Sequence, residues 1–233
     1  MFWFSPERDV VRVHGPDART YLHSQLSQDV QALAVGARAW SFVLQPTGKI
    51  DVLVRVTRVA DETFVLDTDG GYGETMVARL NRFKIRVKAE IEPLDWRCIA
   101  VRGDATGADD LLGPDVTPPD GVAEGTAEDF ADARIAAGWP AMGAEILPGV
   151  TIPAETGILE LAVSFTKGCY PGQELVERMD SRGSSAPFHL VALDRRDGDV
   201  VGGDVVVDGA TVGTITSVGR RQVLARVRRG AQL

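Results

Sequence analysis

Ser164-Phe165-Thr166-Lys167-Gly168-Cys169-Tyr170-Pro171-Gly172-Gln173-Glu174-Leu175-Val176-Glu177-Arg178 is the stretch on which the reading of this 233-residue chain turns. Two glycines and a proline bracket one cysteine, which calls for a shaped turn rather than the interior of a helix or strand. Lys167 places a cation two residues before the thiol, and a helix starting at Gln173 would aim its N-terminal end at the same turn. Both effects favour the thiolate, which makes Cys169 a candidate nucleophilic or redox-active group. The competing reading is a structural turn carrying an inert, half-buried thiol. Cys98, inside an apolar run, takes that inert reading in full.

After residue 183 the pattern becomes short β-like runs at 188–193, 204–207, 211–218 and 222–227, with Asp208-Gly209 as a hairpin turn. A small C-terminal β-barrel or meander is the expected form. Upstream, residues 10–13 alternate like a strand, and Gly15-Pro16-Asp17 leads into a helix with Ala18, Tyr21, Leu22 and Leu26 on one face. Runs at 40–44 and 50–59 flank the turn Gln45-Pro46-Thr47-Gly48, with Ile50, Val52, Val54 and Val56 expected on one face and Asp51 and Arg55 on the other. Residues 63–66 give another strand, and Met76, Val77, Leu80 and Phe83 mark an amphipathic helix. Ile85, Val87, Ala89 and Ile91, separated by charged residues, predict a strand over 85–91, and residues 97–101 a short buried one. Residues 113–126, rich in Pro, Gly and acids, look like a linker. The mixture of hairpins and helices predicts an α+β fold.

Composition narrows the function. Apolar residues make up 44% of the chain, enough for a real core. The net charge of −8 is unevenly spread: +2 over residues 1–89, −13 over 90–177 and +3 over 178–233. An acidic middle argues against direct nucleic-acid binding, and the Arg220-Arg221 and 226–229 clusters read as a solvated face. Two cysteines cannot alone ligate an iron–sulfur cluster, and His14, His23 and His189 include no paired zinc motif. His23 reads as a solvated or capping residue of the first helix. Gly71-Tyr72-Gly73 lacks the third glycine of a dinucleotide fingerprint and reads as a turn before a helix. No signal peptide or membrane span is evident, so a cytoplasmic protein without membrane partners is expected.

Lys167-Gly168-Cys169-Tyr170-Pro171-Gly172-Gln173-Glu174, followed by Arg178 and Arg182-Gly183, resembles the signature of the YgfZ family, bacterial relatives of mitochondrial iron–sulfur assembly factors and of the glycine-cleavage T-protein (aminomethyltransferase). Weaker similarity covers Val13 to Val30, Gln45 to Ile50, Arg134 to Pro140 and Ile152 to Glu155. The resemblance implies a ring of subdomains around a tetrahydrofolate pocket: an aminomethyltransferase-like region over 1–182 (subdomains 1–95 and 96–182, the middle one reduced) and a β-barrel over 183–233. It also implies a role in maintaining iron–sulfur enzymes and in tRNA modification, with Cys169 as the functional thiol and Lys167, Gly168, Tyr170, Gly172, Gln173, Glu174 and Arg178 as its motif. The partners implied are a reduced folate and iron–sulfur enzymes or assembly proteins.

Three departures from the relatives stand out. Val52 and Leu53 fall where T-proteins carry an acidic pair, which argues against aminomethyl transfer. Ala136 falls where a glutamate is expected to read the pterin. Phe130 falls where a tryptophan lines the folate site. A tetrahydrofolate-dependent aminomethyltransferase and a cofactor-free protein scaffold are the alternatives.

Overall fold

The computed structural model describes residues 1–103, 110–181 and 186–233. In chain order the elements are β1 (Phe2–Phe4), β2 (Arg8–His14), α1 (Ala18–Gln25), β3 (Arg38–Leu44), β4 (Ile50–Ala60), β5 (Thr63–Asp69), α2 (Gly73–Arg82), β6 (Glu90–Leu94), β7 (Arg97–Arg102), β8 (Asp110–Gly113) and β9 (Ala123–Glu124). They continue with α3 (Ala127–Ala136), α4 (Leu159–Ala162), α5 (Gln173–Ser181), β10 (Phe188–Asp194), β11 (Asp204–Val207), β12 (Ala210–Val218) and β13 (Gln222–Arg228). The fold is mixed α and β, with three separate sheets.

The central sheet has the order β3-β4-β5-β2-β6, antiparallel throughout. Both of its faces are covered, which is why β4 is buried continuously from Ile50 to Val56. On one face Val52, Val54 and Val56 pack with Tyr21 and Leu22 of α1 and Met76 and Leu80 of α2. On the other, Phe42, Leu44, Ile50 and Leu53 pack with Met142, Ile146, Val163 and Tyr170. Ile50 therefore does not share a face with Val52. The pairing slips between Val43 and Leu44, so that Leu44 opposes Ile50 while Val43 opposes Val52. The extra residue, Asp51, turns the strand over.

The strand expected over 85–91 begins only at Glu90, opposite His14. Arg86 has φ 59°, Ile85 is 76% exposed, and the preceding chain is strapped to the start of α1. The straps are Asp17 N–H to the Lys88 carbonyl (3.2 Å) and Lys88 N–H to Asp17 Oδ2 (2.7 Å). These local bonds outweigh an alternation that has no strand to pair with.

The second sheet has the order β8-β7-β1-β9. Residues 113–126 are more than a linker: β9 pairs in parallel with β1, Phe2 opposite Ala123 and Trp3 opposite Glu124. Because β1 also pairs with β7, a cut of the chain at residue 95 does not separate the two sheets. The linker then feeds α3, whose start the sequence reading missed. Thr126 and Asp129 form a reciprocal capping box there.

The C-terminal sheet, order β10-β13-β12-β11, is open rather than a closed barrel, with β10 and β11 as its edges. Asp208 and Gly209 (φ 50° and 79°) make the tight turn between β11 and β12. The junction expected at Arg182-Gly183 lies outside the described residues. Among the described residues no helix is long and apolar enough to cross a membrane.

Candidate functional site

The cysteine loop is built by anchoring both of its ends. On one side Lys167 reaches the end of α1, where helix carbonyls lack internal partners. Its Nζ donates to the carbonyls of His23, Leu26 (2.5 Å) and Gln28 (3.3 Å) and lies 5.1 Å from the Tyr170 ring centroid. Burial lowers the Lys167 ammonium to about 8, against the opposing pull of Asp29. The cation expected to serve the thiol is thus engaged by three backbone oxygens. On the other side Gly172 (φ 83°) lies against the turn before β4, so close that a Cβ would come within 2.5 Å of the Gln45 carbonyl oxygen. Only glycine combines that left-handed backbone with that approach.

Between these anchors Tyr170 is buried in the apolar cluster under the central sheet, its hydroxyl pushed up to about 12 by burial and then by Glu177. Gly168 and Cys169 are exposed. α5 begins at Gln173, as expected, and the Gln173 side chain donates to Glu177. Glu174 and Arg178 lie exposed on α5; Arg182 and Gly183 lie outside the described residues. His23 faces the loop, its Nε2 4.0 Å from where a Cβ on Gly168 would stand. Its Nδ1 is 3.3 Å from Asp29 Oδ1, too poorly aligned to hydrogen-bond. Burial, then Lys167, holds the imidazole below its usual range. Cys98 is buried in β7, its thiol raised to about 11 mainly by desolvation.

A separate cleft of about 620 Å³ opens between the central sheet, the second sheet and α3. Its walls are aromatic: Phe4 stacks on Phe130 (centroids 5.2 Å) and Trp40 meets Trp139 (4.8 Å). Its floor is a charge network. Asp67, fully buried, accepts from Arg8 (2.6 Å) and Arg55 (2.9 Å), and Asp110 accepts from Arg55 and Arg102 (2.7 Å each). Burial opposes ionisation of Asp110, but Arg55 and Arg102 hold its carboxyl below the usual range. Arg55 also lies 5.6 Å from the Trp40 ring centroid.

Phe130 lines this cleft, together with Ala133, Arg134 and Ala137. Ala136 does not: it is exposed, on another side of α3. Val52 and Leu53 are locked in the two apolar clusters, and their acidic neighbour Asp51 is held by Arg79 (3.2 Å) and Gln45 (2.7 Å). Cys169 is not part of the cleft lining; Tyr170 connects the two places through the cluster that Trp40 and Trp139 border. One arginine of each basic cluster is engaged in structure. Arg220 pairs with Glu128, Asp129 and Asp132 on α3, and Arg226 with Glu155.

The sequence reading missed the cleft arginines and tryptophans. Their signal was charge in a two-sided sheet: on β5 Asp67 stands opposite Arg55 of β4 and Asp69 opposite Arg8 of β2, where a buried charge needs a partner.

No protein-family model matches this chain. An uncharacterized protein of Haemophilus influenzae is 30% identical over 191 residues, covering 76% of this chain and 67% of that protein. The human mitochondrial iron-sulfur cluster assembly factor IBA57 is 27% identical over 220 residues, covering 76% of this chain and 61% of its own length. A homologue of that factor from Cryptococcus neoformans is 24% identical over 249 residues, covering 81% and 66%. The match thus spans about three fifths to two thirds of these relatives. Among solved structures, aminomethyltransferase T of the glycine cleavage system from Bartonella henselae aligns with a TM-score of 0.76 over 97% of this chain and 78% of that one. At 18% identity, that likeness establishes the fold.

Proposed function

We propose that this chain, which belongs to one family with the Haemophilus influenzae protein, is an accessory factor for iron–sulfur cluster assembly that works through Cys169. The observation that carries this reading is an exposed thiol on a loop fixed at both ends, by Lys167 on α1 and by Gly172 on the 45–48 turn. The names of the human and fungal relatives support it. A thiolate is a soft ligand suited to cluster iron. One cysteine supplies one of about four ligands, so a partner protein must supply the others while a cluster passes. The mobile part of such a complex is the cluster; the loop holds its sulfur at a set place.

The cleft is the place for a reduced folate in this reading. The faces of Trp40, Trp139 and Phe130 suit a flat bicyclic ring, and the exposed Arg38 at the lining suits an anionic tail. The acceptor for the pterin donors is not at residue 136; of the lining carboxylates, Asp69 already accepts from Arg8 and from Met142 N–H and Asp110 from Arg55 and Arg102, which leaves the exposed Glu7. Folate then binds weakly. Aminomethyl transfer is disfavoured, because positions 52 and 53 carry no carboxylate. An effect on tRNA modification would pass through iron–sulfur enzymes, the acidic middle of the chain repelling RNA itself. A cytoplasmic location belongs to the same reading; the named relatives are mitochondrial.

The test is complementation. Cells lacking the gene are assayed for iron–sulfur enzyme activity with the wild-type chain or Cys169→Ala. Activity restored by wild type and not by the variant is expected. Full rescue by Cys169→Ala would sink the reading.

A further inference from the structure

We propose that His14, Glu90 and Glu92 form a divalent-cation site on the edge of the central sheet, separate from the cleft and the cysteine loop. β2 and β6 run antiparallel, with His14 opposite Glu90 and Arg12 opposite Glu92. The side-chain period of two therefore puts all four residues on one face. There the two carboxylates converge on one imidazole nitrogen. His14 Nε2 is 2.9 Å from Glu92 Oε1 and 3.8 Å from Glu90 Oε2, and the three donor atoms all lie within 4.8 Å of one another. Ligands about 2.0–2.2 Å from a shared ion stand roughly 3–4 Å apart, so the constellation needs little more than a rotation of Glu90. Glu90, 74% exposed, is free to make it.

The surroundings also suit a cation. Arg12 binds the second oxygen of Glu92, the kind of outer partner that orients a ligating carboxylate, while Oε1 meets His14 Nε2 in a hydrogen bond that an ion set between the two atoms would replace. The strands fix the spacing from behind, since Lys88 and Asp17 clamp the chain just before Glu90. β6 is an edge strand, so the ion is open to solvent from the outer side. One imidazole and two carboxylates suit a first-row divalent ion such as Zn²⁺ or Mn²⁺, with positions left for water or a small anion. None of the three residues lines the cleft.

The experiment is calorimetric titration of Zn²⁺ into the full chain and into His14→Ala, Glu90→Gln and Cys169→Ser, each checked for native circular dichroism. The expected result is one site in the wild type, weakened at least tenfold by each of the first two substitutions and unchanged by the third. Glu90→Gln keeps the size of an exposed side chain, so its loss of binding cannot come from unfolding. No binding in the wild type, full affinity in either His14→Ala or Glu90→Gln, or loss in Cys169→Ser overturns the assignment.

Discussion

Gly172 packs on Gly48 so closely that a Cβ on Gly172 would lie 2.8 Å from the Gly48 Cα. Both residues have left-handed backbones, φ 83° and 82°. Two stretches more than a hundred residues apart, the turn before β4 and the loop after Cys169, thus meet through their glycines. The contact fixes where the thiol is presented.

Gly172→Ala should therefore cost more than its backbone strain. A non-glycine residue in this region costs about 1–3 kcal/mol, and the clash with the Gln45 carbonyl adds to it. Gly157→Ala is the comparison: φ is 77° there, with nothing within 4 Å of the added Cβ. For a chain of this size each kcal/mol lowers Tm by about 2–4 °C. Thermal melts should put Gly172→Ala at least about 4 °C below Gly157→Ala. Equal melting temperatures would mean the contact yields easily.

The Lys167 clamp has a pH signature. Its folded value of about 8 lies below the ordinary 10.5, with burial as the first cause. Between those values the unfolded chain binds the extra proton, so the fold gains stability as pH rises through that window. Below about 8 both states are protonated and the burial penalty is felt in full. The difference in Tm between the wild type and Lys167→Met should shift in favour of the wild type from pH 7.5 to pH 10. A difference that is flat with pH would show that the ammonium is not held out of water.

Most of the strand positions were legible because β2, β4, β5 and the C-terminal strands alternate or run apolar between clear turns, while their order in the sheets was not. What failed was decided by partners. Residues 85–89 alternate, but Asp17 and Lys88 bind each other there; Ile50 changes face because Asp51 is an extra residue in the pairing. The cysteine loop was legible as a shaped turn, while the destination of the Lys167 ammonium was not. It depends on the end of α1, some 140 residues earlier. The cleft was visible only through Phe130, since Trp40, Trp139 and the arginines come from six different elements or loops and share no local spacing.

The cleft geometry changes what a folate test should find. Ala136→Glu, which would restore a pterin acceptor if residue 136 faced the pocket, places its carboxylate in solvent instead. Titration with a reduced folate should give the same affinity for Ala136→Glu as for the wild type. Trp139→Ala, which removes one stacking wall, should weaken binding by about 1–3 kcal/mol, or roughly 5–150-fold. A clear gain from Ala136→Glu would mean that α3 turns its other side to the ligand. Failure of both proteins to bind would favour the cofactor-free scaffold.

The two thiols should separate by rate. Cys169 is exposed, whereas Cys98 is 2% exposed and raised to about 11 by burial, with Asp110 adding to it. At pH 8 only about one Cys98 in a thousand carries the reactive thiolate, even before access is considered. A thiol reagent added to the native chain should label one cysteine quickly, and that fast phase should vanish in Cys169→Ala. The second should react only on the timescale of unfolding. Cys98 also bears on alkaline stability. Its folded value lies above the ordinary 9, so the unfolded chain releases the proton first and the fold loses stability as pH rises from about 9 to 11. Cys98→Ala should remove that part of the loss, giving a shallower fall in Tm above pH 9. Two fast phases in the native wild type would place Cys98 within reach of solvent and contradict its packing in β7.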